Sequence, residues 1–161
     1  MDTKIISNIN PTNENHKDYL VDKIFNHYQS DIKNKTFGIW GLAFKAETDD
    51  VRDSASLKLV KRLTEAGAKV QCFDPKATEE FQKHFPESES IKYFNDKYSA
   101  VNDTDALIVM TEWKTFRTPD LELLVSNMNS KTIFDFRNLY AQGLDIQMKD
   151  SGFEYFGVGR K

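Results

Sequence analysis

One cysteine, Cys72, stands among 161 residues, which excludes an internal disulfide and any zinc cage built on cysteines. Long apolar stretches are missing too. The longest unbroken run is Ala106–Met110, far short of a membrane span. Positive charge is not in excess, with 22 basic against 25 acidic residues and a net charge of −3. No basic stripe carries interleaved aromatics, which argues against nucleic-acid binding through phosphate neutralisation. His16, His27 and His84 are scattered, with no i, i+4 pair and no serine elbow, so metal and triad chemistry have no support. The N-terminus has no basic-then-apolar leader, and a cytoplasmic location is expected from it. What is present is a chain of the length of one compact α/β domain with a small appendage, and no repeat is visible.

Residues 1–13 are polar and asparagine-rich (Asn8, Asn10, Asn13) with Pro11, and are expected to form a disordered lead-in. Leu20, Val21, Ile24, Phe25 and Tyr28 then fall on one face of a helix over about 14–30. From residue 36 strand and helix signals alternate. The run 36–44 (TFGIWGLAF) is a nearly continuous apolar stretch, as a strand covered on both faces should be. A charged loop, 45–54, leads to a helix capped by Asp53 or Ser54 and closed at Gly67. Strands are expected at 69–73, 91–94, 106–111, 132–136 and 153–156, with short helices near 78–84 and 96–102 and helical spacing at Leu121, Leu124, Val125 and Met128. This alternation predicts a doubly wound, Rossmann-like parallel sheet preceded by an N-terminal helix.

In such sheets ligands bind beyond the carboxyl ends of the strands, near the switch in strand order. The loop after the first strand places Lys45 at the expected strand end and Arg52 just before a helix. Two cations beside a helix N-terminus suit an anion. Asp49, Asp50 and Asp53 would position those cations or bond a sugar. A solvated loop with local ion pairs is the plainer alternative. The loop lacks G-x-G-x-x-G, since Gly38 and Gly41 fall inside the expected strand, so the chain is not expected to hold a dinucleotide alone. Arg137, after the 132–136 strand, would converge with Lys45 on one anion, its planar fork suiting a diphosphate, or else serve as a capping arginine. Trp113 and Phe116 read as core-closing aromatics. Cys72 sits in an apolar strand and reads as a small core residue rather than an activated thiol.

Several ordered motifs resemble one family. They are Gly41-Leu42-Ala43-Phe44-Lys45, Thr48-Asp49-Asp50-x-Arg52-Asp53-Ser54, Glu65-Ala66-Gly67-Ala68-x-Val70, Asp74-Pro75, Thr111-Glu112-Trp113-x-x-Phe116, Asp135-x-Arg137-Asn138 and Gly152-Phe153-x-Tyr155-x-Gly157-x-Gly159-Arg160. Across roughly residues 13–160 the chain resembles the C-terminal, UDP-binding domain of the UDP-glucose/GDP-mannose dehydrogenases, with its Glu112 and Asp135 motifs closest to the UDP-glucose branch. GDP-mannose and UDP-N-acetylmannosamine dehydrogenases share the first loop pattern and remain alternatives.

The resemblance implies a three-part enzyme that oxidises UDP-glucose to UDP-glucuronate with two NAD⁺ through a cysteine nucleophile. The family's NAD fingerprint and G-x-C-F-P-K cysteine segment are absent here, so this chain is expected to be a fragment that is inactive alone, with no catalytic residue of its own. It implies that residues 14–33 are the end of a central dimerisation helix and 34–161 the UDP-binding domain. Phe44, Lys45 and Arg137 match the family's nucleotide-sugar contacts, and Arg52 an arginine that reaches NAD held by the missing N-terminal domain. Phe136 stands where the family usually has glycine, and Asp53 where it has glutamate. The apolar face of the N-terminal helix is expected to pack against a partner, giving a homodimer. Two rivals remain from other classes: a non-catalytic oligomerisation module, and a receiver-like signalling domain.

Overall fold

A computed structural model describes residues 3–141 and 143–159. Six strands, β1 (Thr36–Trp40), β2 (Lys69–Phe73), β3 (Ile91–Tyr93), β4 (Ala106–Val109), β5 (Thr132–Asp135) and β6 (Glu154–Gly157), form one sheet in the order β3-β2-β1-β4-β5-β6. Every pairing is parallel. Among the described residues there are five α-helices: α1 (Thr3–His27), α2 (Ala55–Glu65), α3 (Thr78–Gln82), α4 (Leu121–Asn127) and α5 (Leu144–Asp150). This strand order belongs to the doubly wound dinucleotide-type sheets, and it excludes the receiver-like alternative, whose order is 2-1-3-4-5.

The sheet is covered on both faces, and β1 shows how. Side chains alternate along a strand. Phe37 turns to the side of α1, where the ring of Tyr28, just past that helix, meets it edge-on at 5.7 Å. Trp40 turns the other way, stacks on Phe116 at 5.1 Å and donates its indole N–H to the Lys97 carbonyl at 2.8 Å. Gly38 shares the Trp40 face, where a Cβ would sit 2.9 Å from the Ala100 carbonyl oxygen, so a 3-10 turn at Ser99–Val101 presses directly on the strand. All four residues of β4 are buried, which explains the continuous apolar run there.

Ser54 caps α2, its hydroxyl accepting from the Ser56 N–H at 3.2 Å. At the other end Ala68 N–H donates to the Leu63 carbonyl and Gly67 N–H to the Thr64 carbonyl, both at 3.0 Å, which is a Schellman closure. Leu59, Val60 and Leu63 face the core.

Four expectations are corrected. The lead-in at 1–13 is not disordered where it is described: α1 begins at Thr3 and runs through residue 13, while residues 1–2 lie outside the described set. The apolar face of α1 is not left for a partner either. Leu20, Val21 and Ile24 are buried in this chain's own core, each contributing roughly 1.5–3 kcal/mol, with Phe25 packed against it. Finally, the 36–44 run is not one strand. The strand stops at Trp40 because Gly41 adopts φ +101 and turns the chain. The helix near 96–102 shrinks to the Ser99–Val101 turn, and α5 is an element whose only apolar spacing, Leu144 to Met148, is too short to read.

A cleft beyond the carboxyl ends of the strands

The turn after β1 is locked by two carbonyl bonds and one carboxylate. Ser56 donates its hydroxyl to the Gly41 carbonyl and Thr111 to the Ala43 carbonyl, both at 2.9 Å. A Cβ at residue 41 would lie 2.4 Å from the Thr111 hydroxyl oxygen, so only glycine permits this approach of the β1 and β4 ends. Asp74, buried just past β2, takes the Leu42 and Ala43 N–H groups at 2.7 and 3.1 Å and the Trp113 indole N–H at 3.1 Å on one oxygen. Its other oxygen accepts the Lys76 and Ala77 N–H groups, both at 2.8 Å. One carboxylate thus ties the ends of β1, β2 and β4 together. In the sequence Asp74 stands out only as part of the Asp74-Pro75 motif after the 69–73 strand; a buried acid among backbone donors has no signal in spacing.

A second buried acid fixes the end of β5. Asp135 accepts the Arg137 N–H at 3.2 Å, the Tyr140 N–H at 2.9 Å and the Tyr155 hydroxyl at 2.7 Å. Burial, with Asp135 close by, pushes the Tyr140 phenol well above its ordinary value, and Tyr140 donates to the Phe116 carbonyl at 2.6 Å. Asn138 and Val158 exchange bonds at 2.9 and 3.2 Å, which ties the same loop to the chain after β6.

Between these braced loops lies a cleft of about 590 Å³. Ala43 and Phe44 line it from the β1 loop, Met110 from the end of β4, Phe136 and Arg137 from the end of β5, and Asp53, Ser54 and Ala55 from the start of α2. Asn13, Glu14, His16, Lys17 and Leu20 of α1 close the remaining side. It therefore opens at the carboxyl edge, beside the switch in strand order between β1 and β4. The N-terminal turn of α2 brings the positive end of a helix dipole to the wall. Acidic and basic groups both line it.

The four residues predicted from the sequence divide into two groups. Phe44, 53% exposed, and Arg137 line the cleft together. Lys45 is not at the strand end, because β1 stops at Trp40, and it is not among the lining residues. It stands instead near Asp50, whose carboxyl is held down to about 2 by the Arg52 guanidinium and backbone, with Lys45 adding to the lowering. Arg52 is 87% exposed and grips Asp50 with two nitrogens, at 3.0 and 2.9 Å. The plainer alternative of a loop with local ion pairs thus describes Arg52, while convergence of Lys45 with Arg137 is not seen. Phe136 is buried, its ring 6.0 Å from that of Phe134, and it lines the cleft together with Arg137. Arg160, the last residue of the closing motif, lies outside the described residues.

Cys72 is fully buried and burial pushes its thiol far up, so it is no nucleophile. Trp113 and Phe116 close the core as expected. Among the described residues no cluster of His, Cys, Asp and Glu could hold a metal, and no helix is long and apolar enough to cross a membrane.

The fold and the cleft define the class: a doubly wound α/β nucleotide-binding domain. Comparison with known sequences narrows it. The profile of the UDP-glucose/GDP-mannose dehydrogenase family, UDP binding domain, matches residues 38–142, and the chain belongs to that family. It is 35% identical to the UDP-glucose 6-dehydrogenase of Pseudomonas aeruginosa, over 99% of this chain and 35% of that protein. It is 32% identical to the UDP-glucose 6-dehydrogenase TuaD of Bacillus subtilis, over 98% of this chain and 33% of that one. The chain thus spans about a third of the length of these relatives. Among solved structures, a UDP-glucose dehydrogenase from Pyrobaculum islandicum superposes with a TM-score of 0.70 at 26% identity, covering 92% of this chain and 30% of that one.

Proposed function

We propose that this chain is the UDP-sugar-binding domain of an NAD-dependent UDP-glucose 6-dehydrogenase and that its cleft takes the diphosphate of the nucleotide-sugar. The observation that carries this reading is that Arg137 and the N-terminal turn of α2 line one cleft, a guanidinium donor and a positive helix end that both suit phosphate oxygens. Phe44, exposed in the same cleft, offers an aromatic face to the base or sugar. Family membership and relatives named as UDP-glucose 6-dehydrogenases support the choice of substrate.

Lys45 and Arg52 are proposed to act at the outer side of the loop. Arg52, exposed and anchored on Asp50, would meet NAD held by another domain. The residues of this chain do not fit a dinucleotide on their own, because the long β1–α2 loop replaces the glycine-rich turn such a site needs. The chain alone is therefore proposed to be inactive in the oxidation. Its part is to bind the nucleotide-sugar and, when domains close over it, to help exclude water and fix the sugar's position. A cytoplasmic homodimer remains part of the proposal, with an interface other than the buried Leu20, Val21 and Ile24 face of α1.

Calorimetric titration with UDP tests this. Saturable binding is expected, weakened about tenfold or more by Arg137→Ala, since losing one charge-assisted pair to phosphate removes roughly 1.5–3 kcal/mol. Lys45→Ala is expected to weaken it less. Absence of binding in the unchanged chain would favour an oligomerisation module instead.

A further inference from the structure

The Arg137 guanidinium does not stand free in the cleft wall. One of its terminal nitrogens lies 3.1 Å from a carboxylate oxygen of Glu112, the residue between Thr111 and Trp113 at the end of β4. Both partners spring from fixed backbone. Thr111 is buried and bonded to the Ala43 carbonyl, and Trp113 is buried and bonded to Asp74, so the chain at 112 is clamped on either side. On the other strand, the Arg137 N–H is bonded to buried Asp135.

The ion pair is about two-fifths exposed on each side, and pairs so exposed contribute little to stability. Its consequence is geometric. A free arginine on a loop carries large rotamer freedom that a ligand must remove on binding. Arg137 is paired with Glu112 and is at the same time one of the residues that line the cleft, so the pair forms at the cleft wall. The contact uses one terminal nitrogen, and the fork has further N–H donors for phosphate oxygens.

We infer that Glu112 is a positioning residue: it holds the Arg137 fork toward the cleft so that a nucleoside diphosphate meets an ordered donor. This rests on the reading of the cleft as a diphosphate site, and two measurements on the full chain separate the two claims. The first needs no nucleotide: nitrogen-15 relaxation at Arg137 Nε. High order is expected in the unchanged chain and a clear loss of order in Glu112→Ala. Equal mobility in both would overturn the inference.

The second is UDP affinity in a double-mutant cycle. Glu112→Ala is expected to weaken UDP binding about threefold to tenfold, the range of ordering one long side chain, and to have no further effect in Arg137→Ala. Glu112→Gln, which keeps a hydrogen-bond acceptor, should restore most of the affinity. Tighter binding in Glu112→Ala would mean that the carboxylate merely competes with phosphate, and an equal loss in both backgrounds would mean a general structural effect. Either result would refute the positioning role.

Discussion

Asp74 shows how much of the site depends on one side chain that spacing does not reveal. Donors from the β1 loop, the β2 loop and Trp113 converge on its carboxylate, all of them in the interior. Asp74→Asn replaces one acceptor oxygen with an amide N–H₂ that faces these donors. A loss of about 3 kcal/mol is expected, read by urea denaturation, because buried donors left without an acceptor carry their full desolvation cost. The Arg52–Asp50 pair is the opposite case, exposed and local. Its carboxyl is held to about 2 against the ordinary 3.8. A lowered folded-state value means that whatever the pair contributes is present above about pH 4 and lost as pH falls through about 2. A carbon-13 titration of Asp50 should give a midpoint near 2, and Arg52→Ala should return it toward 3.8. An unchanged midpoint in that variant would detach Arg52 from the loop's charge arrangement.

At the scale of elements, α1 is held to the body in two ways. Glu14 and Asp18 pair with Lys58 at 3.0 and 2.8 Å, and Asp22 with Arg62 at 3.0 Å, while Arg62 also lies over the Phe25 ring. Beneath them Leu20, Val21 and Ile24 are buried. Magnitudes decide which matters more. Asp18→Ala should cost about 0.5–1 kcal/mol and less at high salt, whereas Ile24→Ala should cost about 3 kcal/mol at any ionic strength. Chemical denaturation at two salt concentrations separates them. The strands and α2 were legible because burial on both faces, helical spacing and capping residues leave marks in adjacent positions. The true end of β1 was not, since Leu42 and Ala43 are as apolar as the strand and only the Gly41 turn and Asp74 separate them from it. Arg137 was legible as a cation after a strand, but its pairing with Glu112 joins two loops far apart in sequence.

At the scale of the whole molecule, parallel order and the β1/β4 switch put the ends of β1, β4 and β5 around one cleft, with α1 and the start of α2 as its walls. The family assignment fits this frame, and the frame explains why residues from such distant motifs lie together. The central claim is that this cleft takes the diphosphate of a uridine nucleotide. Amide chemical-shift mapping during a UDP titration tests it most directly. The account predicts saturable shifts concentrated at Ala43, Phe44, Ser54, Ala55 and Arg137, with the opposite sheet edge around Thr36, Lys69 and Ser90 unmoved. Shifts centred on that opposite edge, or none at the Arg137 loop, would contradict it.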